Sequence, residues 1–113
     1  MKYTAEDRKW SLAVKERDGW TCRRCGRSYM KGDNGLNAAH IMERSYHQTR
    51  TDPDNGIALC VGCHSWFDDH KIAGIKWVTE LLGQERIDEL WHRAHIPEKV
   101  KSTRKLAGTR RAK

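Results

Sequence analysis

The spacing of apolar residues near the N-terminus predicts a short amphipathic helix. Trp10, Val14 and Arg17 recur at helical spacing and would lie on one face. Thr4, a few residues earlier, has the character of an N-cap, and the pair Asp18-Gly19 is typical of a helix end. A first helix is therefore expected to lead directly into the region of the first cysteine.

A second helical pattern occupies the C-terminal half of the chain. It begins after Cys63, is interrupted at Gly74, and continues as a predicted helix over Ile75 to Leu82 that ends at Gly83. The last predicted helix has four apolar residues at positions i, i+3, i+4 and i+7, namely Ile87, Leu90, Trp91 and Ala94. Five large aromatic residues are expected to pack in the core instead of stacking on nucleobases: Trp10, Trp66, Phe67, Trp77 and Trp91.

Two short apolar stretches in the middle of the chain predict β-strands. Residues 38–41 form the first stretch, and residues 57–59, which end at Cys60, form the second. Residues 52–56 read Asp-Pro-Asp-Asn-Gly, a strong turn signal, because proline fixes its own φ and an Asn-Gly pair accepts positive φ. Two strands followed at once by a helix indicate an α+β fold.

Four cysteines are arranged as two C-x-x-C pairs. Cys22 and Cys25 form the first pair, and Cys60 and Cys63 form the second. In a reducing compartment such pairs are typical of metal ligands and not of disulfides. Four thiolates complete a tetrahedral zinc site and leave no position for water, so the predicted zinc is structural. Gly26 suits a tight turn in which backbone amides approach the bound sulfurs.

Positive charge is concentrated at the C-terminal end. The 113-residue chain has 22 Lys and Arg, 15 Asp and Glu, and a formal net charge of +7. Seven basic residues and no acidic residue lie in the last 15 positions, so the rest of the chain is formally neutral. These seven are Lys99, Lys101, Arg104, Lys105, Arg110, Arg111 and Lys113. Residues 98–113 are predicted to form a disordered basic tail that attracts nucleic acid by neutralising phosphates, or else a tail that only aids solubility.

Three polar residues lie where a zinc site would bring them together. His40 is on the first predicted strand, Asn55 is at the turn into the second, and His64 directly follows the last cysteine. The sequence reads RDGWTCRRCG over residues 17–26 and NGIALCVGCH over residues 55–64, with His40-Ile41 between them. This arrangement resembles the motif of HNH endonucleases, in the form found in phage and mobile-element proteins. The resemblance covers residues 17–64, under half of the chain.

The resemblance implies a ββα-metal fold that hydrolyses DNA phosphodiester bonds with a divalent cation, namely Mg²⁺, Mn²⁺, Ni²⁺ or Zn²⁺. It implies that His40 is the general base and that His64 is a ligand of the catalytic cation. Asn55 would either hold the loop and the His40 ring in orientation or contact the cation through its side-chain oxygen. These residue types suit the reaction, because a neutral histidine can take a proton from water near pH 7 and a cation stabilises the charge that develops on the phosphate.

One position departs from the family pattern. Many HNH enzymes have Asp or His immediately before the catalytic histidine as a second metal ligand, and this chain has Ala39 there. The missing ligand would then be a water or phosphate oxygen, or a nearby group such as Asp54, His47 or Asp68. Asp68 lies four residues after His64 and therefore on the same helical face.

Two further arginines, Arg44 and Arg50, lie between the first histidine and the second cysteine pair. They are candidates to bind the scissile phosphate in a bidentate manner, or they are ordinary surface residues.

We therefore predict an α+β HNH nuclease domain over residues 1–97. It would have a zinc-clipped ββα-metal core at about 17–70, a flanking N-terminal helix and a helical extension at 75–95. The protein is expected to cut double-stranded DNA as a monomer or homodimer. The competing hypothesis is a zinc-containing DNA- or RNA-binding module without catalysis, which Ala39 favours. The sequence shows no stretch suited to a membrane span or signal peptide, so we expect a cytoplasmic protein in a phage-infected or bacterial host cell.

Overall fold

Helices and a two-stranded sheet make up the described part of the chain, residues 3–95 of a computed structural model. The elements are α1 (Ala5–Arg17), β1 (Leu36–His40), a 3₁₀ turn (Pro53–Asn55), β2 (Gly56–Cys60), α2 (Val61–Asp69), α3 (Lys71–Leu82) and α4 (Gln84–His95). The expected α+β class is confirmed. The predicted basic tail at 98–113 lies outside the described residues.

Helix α1 begins as the sequence predicts, with Thr4 as its N-cap. The Thr4 hydroxyl accepts a hydrogen bond from the Asp7 amide at 3.1 Å, and the Asp7 carboxylate accepts one from the Thr4 amide at 2.8 Å. This reciprocal pair is a capping box. The helix buries Trp10 and Val14 against the sheet. These two side chains contact the backbone of β2 at Gly56.

The two strands pair antiparallel, with His40 opposite Gly56 and Leu36 opposite Cys60. A 3₁₀ turn leads into β2, and the Asp52 side chain caps this turn by accepting from the Asp54 amide at 2.9 Å. The predicted turn is present, and Gly56 is extended, with φ of −140°, so the turn forms without the positive φ that an Asn-Gly pair accepts. Gly56 is instead required because α1 leaves no room for a Cβ there.

One helix boundary predicted for the segment after the sheet differs from the structure. The predicted break at Gly74 is wrong, because α3 runs through this residue and the chain bends between Asp69 and Lys71 instead. A Cβ at Gly74 would lie 2.9 Å from the Phe67 ring, so the glycine lets α3 pack closely on α2. Gly83 ends α3 with φ of +101°, in the left-handed region that glycine favours.

Most of the aromatic residues predicted for the core lie there. Trp10 and Phe67 are buried, and Trp66 and Trp77 are partly buried against the core. The prediction for Trp91 is wrong, since this side chain is 52% exposed on α4 and stacks on His95 with ring centroids 4.0 Å apart. Within residues 3–95, none of the helices has the length and apolar character needed to cross a bilayer.

Candidate functional site

The four cysteine thiols come together where the first C-x-x-C turn meets the junction of β2 and α2. Their Sγ atoms all lie within 4.8 Å of one another, and Cys25 Sγ is 3.8 Å from Cys60 Sγ. Zinc bound tetrahedrally to four thiolates at about 2.3 Å would separate neighbouring sulfurs by about 3.8 Å. The donor set and its spacing therefore fit the predicted structural zinc.

Both C-x-x-C pairs are turns whose amides face sulfur. The Cys25 amide donates to Cys22 Sγ, and the Cys63 amide donates to Cys60 Sγ, each at 3.4 Å. Gly26 has φ of +82°, and its amide donates to the Cys22 carbonyl, as expected for the tight turn. Although burial acts in the opposite direction, backbone amides lower the pKa of the Cys22 thiol to about 6. Burial raises the pKa of the Cys63 thiol to about 12, a difference that a bound cation would remove because it binds all four as thiolates.

His40, at the end of β1, is held on two sides. Its Nε2 lies 2.9 Å from the backbone carbonyl oxygen of Arg50. A carbonyl oxygen only accepts, so in the neutral ring Nε2 carries the proton and Nδ1 is the basic nitrogen. The ring also stacks on Trp10, with centroids 3.9 Å apart and planes inclined by 10°. Burial lowers the pKa of His40, against the opposing effect of the Arg50 carbonyl, which favours a neutral ring at pH 7.

His64, in the first turn of α2, has a different partner on each ring nitrogen. Its Nδ1 is 3.1 Å from the side-chain amide nitrogen of Asn37, and its Nε2 is 3.4 Å from an Asp68 carboxylate oxygen. The expected proximity of His64 and Asp68 on one helical face is therefore found. The sequence motif does not point to Asn37, although strand alternation puts it on the same face of β1 as Ala39, the departing position.

Asn55 is fully buried and all of its side-chain polar atoms are engaged. Its Oδ1 accepts from the Met42 amide at 2.6 Å, and its Nδ2 donates to the carbonyls of Met42 and Thr49 at 3.1 and 3.0 Å. These bonds tie the loop that follows His40 to the turn that precedes β2. Of the two roles that the resemblance allowed, the contacts support holding the loop.

Arg44 and Arg50 both reach the buried carboxylate of Asp7. Arg50 binds it through Nε at 2.9 Å and Nη2 at 2.5 Å, and Arg44 binds it through Nη2 at 3.0 Å. The Arg50 guanidinium holds the pKa of Asp7 far below its usual value. Sequence reasoning misses Asp7, because no local pattern links it to residues about 40 positions away. Phosphate binding by the two arginines stays a prediction.

The other candidates for completing the cation site lie in different surroundings. Asp54 pairs with two arginines of α4, Arg86 at 3.7 Å and Arg93 at 3.4 Å. His47 is exposed on the loop between β1 and the 3₁₀ turn. Among the three residues considered from the sequence, Asp68 is the one found in contact with His64.

A cleft of about 410 Å³ joins the surroundings of His40 to those of His64. It lies between the loop after β1 and helices α2 to α4, and both His40 and Asp68 line it. Apolar side chains such as Phe67 and Ile75 form much of its wall, with Lys71 and Trp91 also lining it. The histidine with the basic nitrogen and the carboxylate beside His64 therefore share one space.

The comparisons with known proteins agree with the motif. Residues 22–73 match the family model described as HNH endonuclease, a segment that holds all four cysteines together with His40, Asn55 and His64. No curated protein and no solved structure is significantly similar to the chain. The match supports a nuclease-type function with nucleic acid as the substrate. Residues 22–73 are therefore similar to the HNH endonuclease family, to which the sequence motif also points.

Proposed function

We propose that the protein is a divalent-cation-dependent endonuclease that hydrolyses phosphodiester bonds in double-stranded DNA. The family match supports a nuclease, and one observation supports the finer proposal. His40 is fixed through Nε2 with Nδ1 as its basic nitrogen, and it lines the same cleft as Asp68, which contacts His64. A base and a pair of metal-binding side chains are what hydrolysis of a phosphodiester requires.

His40 acts as the general base. Its Nδ1 takes a proton from the attacking water, while Nε2 keeps its proton on the Arg50 carbonyl. Burial lowers the pKa of the ring and keeps it in the neutral form that can accept a proton at pH 7. Stacking on Trp10 prevents the ring from turning away from this orientation. A well-placed general base contributes about 10²- to 10⁴-fold to the rate.

His64 and Asp68 would hold the divalent cation. Their facing atoms are 3.4 Å apart, which matches the separation of about 3.4 Å between two tetrahedral ligands at about 2.1 Å from one ion. Asn37 contacts the other ring nitrogen, and with its amide turned so that Oδ1 accepts from Nδ1–H it would leave Nε2 without a proton and able to bind the cation. When bound, the cation stabilises negative charge on the phosphate and on the leaving oxygen.

Attraction to DNA is assigned to the basic tail. Residues 1–98 are formally neutral, whereas residues 99–113 carry seven positive charges and no negative one. Neutralised phosphates release counterions, so a basic segment adds affinity without reading sequence. The body then supplies the chemistry and the tail supplies much of the binding.

A plasmid-nicking assay tests the proposal. The wild-type protein is expected to nick plasmid with Mg²⁺, Mn²⁺, Ni²⁺ or Zn²⁺ and to be blocked by EDTA. His40→Ala should lose about 10²- to 10⁴-fold in rate at unchanged zinc content. His64→Ala should also lose activity, but excess cation should restore part of it. His92→Ala, at an exposed histidine of α4, is the matched control and should cut as the wild type does.

Two outcomes would contradict the proposal. If His40→Ala nicks plasmid at the wild-type rate, His40 is not the base. If the wild-type protein cuts nothing with any of the four cations, the competing hypothesis of a non-catalytic zinc-containing nucleic-acid-binding module is the better one. Ala39, in place of the usual second metal ligand, is the observation that favours this alternative.

A further inference from the structure

Helix α1 lies outside the segment that matches the HNH family, yet its side chains reach the surroundings of His40. Trp10 stacks on the His40 ring, and the Trp10 indole nitrogen donates to the Asp52 carbonyl at 2.8 Å. Asp7, one turn earlier in the helix, binds the Arg50 guanidinium through both of its carboxylate oxygens. The family motif therefore does not contain all the residues that surround the base.

We propose that Asp7 is a positioning residue for His40 and that it acts through Arg50. The Arg50 side chain is held by the Asp7 carboxylate, and the backbone carbonyl of the same residue accepts the hydrogen bond from His40 Nε2 at 2.9 Å. The guanidinium and the carbonyl belong to one residue, so anchoring the guanidinium restricts movement of the loop backbone that carries the carbonyl. Fixing that carbonyl fixes the ring and leaves Nδ1 as the basic nitrogen. The inference rests on the proposed role of His40 as general base.

The burial of Asp7 shows that it does more than cap α1. A capping carboxylate works at a solvent-exposed helix end, where its bonds to the first turn are sufficient. Asp7 is 1% exposed, and two arginines from the loop after β1 converge on it. A charge buried to this degree is strongly destabilising without its partners, so the arrangement resists any loop movement that separates Arg50 from Asp7.

The test compares Asp7→Asn with Asp18→Asn in the full-length, zinc-loaded protein. Asp18 is the matched control because it is another buried carboxylate at the sheet side of α1. It binds Arg17 at 2.9 Å and Arg23 at 3.1 Å and accepts from the Ala58 amide at 3.0 Å, and neither Arg50 nor His40 takes part in these contacts. Both substitutions remove one buried negative charge and keep the side-chain shape.

Two quantities are measured besides zinc content and thermal unfolding. The first is the His40 Nε2–H signal in ¹⁵N-labelled protein, which is protected from solvent exchange only while the proton is hydrogen-bonded. The second is the rate of plasmid nicking. In Asp7→Asn we expect faster exchange of this proton and a rate about 10- to 100-fold lower, a loss of the size seen when an outer contact of a metal-binding histidine is removed. Asp18→Asn should keep the wild-type exchange and rate.

A folded Asp7→Asn variant with a protected Nε2–H signal and the wild-type rate would overturn the proposal. If Asp7→Asn does not fold, the same measurements are made on Arg50→Lys. This variant keeps a positive charge near Asp7 and the same backbone carbonyl but loses the bidentate contact with Asp7. Wild-type exchange and rate in Arg50→Lys would then refute the proposal. The exchange measurement does not depend on cleavage. If the wild-type protein cuts no DNA but Asp7→Asn loses the protection of the Nε2–H proton, the positioning role is supported and the proposed function is refuted.

Discussion

Replacing Gly56 with alanine should destabilise the protein, because the backbone of β2 contacts α1 at this residue. A Cβ at position 56 would overlap Val14 Cγ2 and would lie 2.8 Å from Trp10 Cζ2. Both side chains are buried and cannot move into solvent. The backbone of Gly56 is extended, with φ of −140° and ψ of 154°, a conformation that alanine adopts without strain. The cost therefore comes from packing alone, and α1 must move away from the sheet to relieve it.

The size of the effect follows from two opposing contributions. Forcing an extra carbon into a well-packed core typically costs about 1–3 kcal/mol. Replacing glycine by alanine returns about 0.4–1 kcal/mol, because the unfolded chain loses conformational freedom. The free energy of unfolding should fall by about 1–2 kcal/mol, and the Tm of a domain of this size by about 5–15 °C.

The assay is thermal unfolding at a fixed concentration of free zinc, because zinc bound by the four cysteines would contribute to the measured stability. Gly62→Ala is the matched control. Gly62 is an exposed residue of α2, a Cβ added there would meet no atom within 4 Å, and alanine is the better helix former. Its Tm should stay the same or rise. Equal Tm values for the two variants would show that α1 does not press on β2, and the account of Gly56 would be refuted.

Three further predictions concern the zinc, the tail and Asp7. One zinc ion per chain should co-purify, and Cys60→Ser should lose both the ion and thermal stability. Metal analysis measures the zinc content, and a Cys60→Ser variant that folds normally would contradict the prediction. Removing residues 99–113 should weaken DNA binding and leave the zinc content unchanged. The slope of log affinity against log salt concentration should fall by about one for each lost phosphate contact. Equal affinity and equal slope would show that the tail does not contact DNA. Asp7→Asn should have a lower free energy of unfolding than the wild type above pH 5, and this difference should shrink as the pH falls below about 4. The reason is that Arg50 lowers the folded-state pKa of Asp7 below its unfolded-state value of about 3.9. A difference that does not change with pH would contradict that cause.

The parts of the fold that the sequence predicts are those with short-range causes. The N-cap at Thr4, the two C-x-x-C turns and the helix end at Gly83 each depend on residues a few positions apart, and the structure shows all of them. The paired strands follow from the same logic, because two cysteine pairs that share one metal bring their flanking segments together. Local chemistry is thus enough for these elements.

The errors have causes that lie far away in the sequence. The local pattern explains Gly56 by the positive φ that an Asn-Gly pair accepts, but the residue is extended and is needed because α1 leaves no room for a Cβ there. The same kind of pattern favours a helix break at Gly74, but this residue is where Phe67 of α2 meets α3. Trp91 completes a helical apolar stripe, yet α4 leaves it half exposed at the cleft. In each case a contact between distant elements decides the role, and a local pattern carries no record of it.

The same distinction applies to the two histidines of the site. The motif locates His40 and His64, but each ring contacts a residue that the motif does not specify. The Arg50 carbonyl, whose side chain binds Asp7, accepts from His40, and Asn37 contacts His64. The two rings are held by opposite nitrogens, which leaves Nδ1 of His40 as the basic atom and Nε2 of His64 facing Asp68. Ala39 is buried in the core, where a carboxylate would lack solvent. The exposed side chain of Asp68, one turn along α2, can supply that negative charge without such a cost, so the departure at residue 39 is compatible with a working cation site.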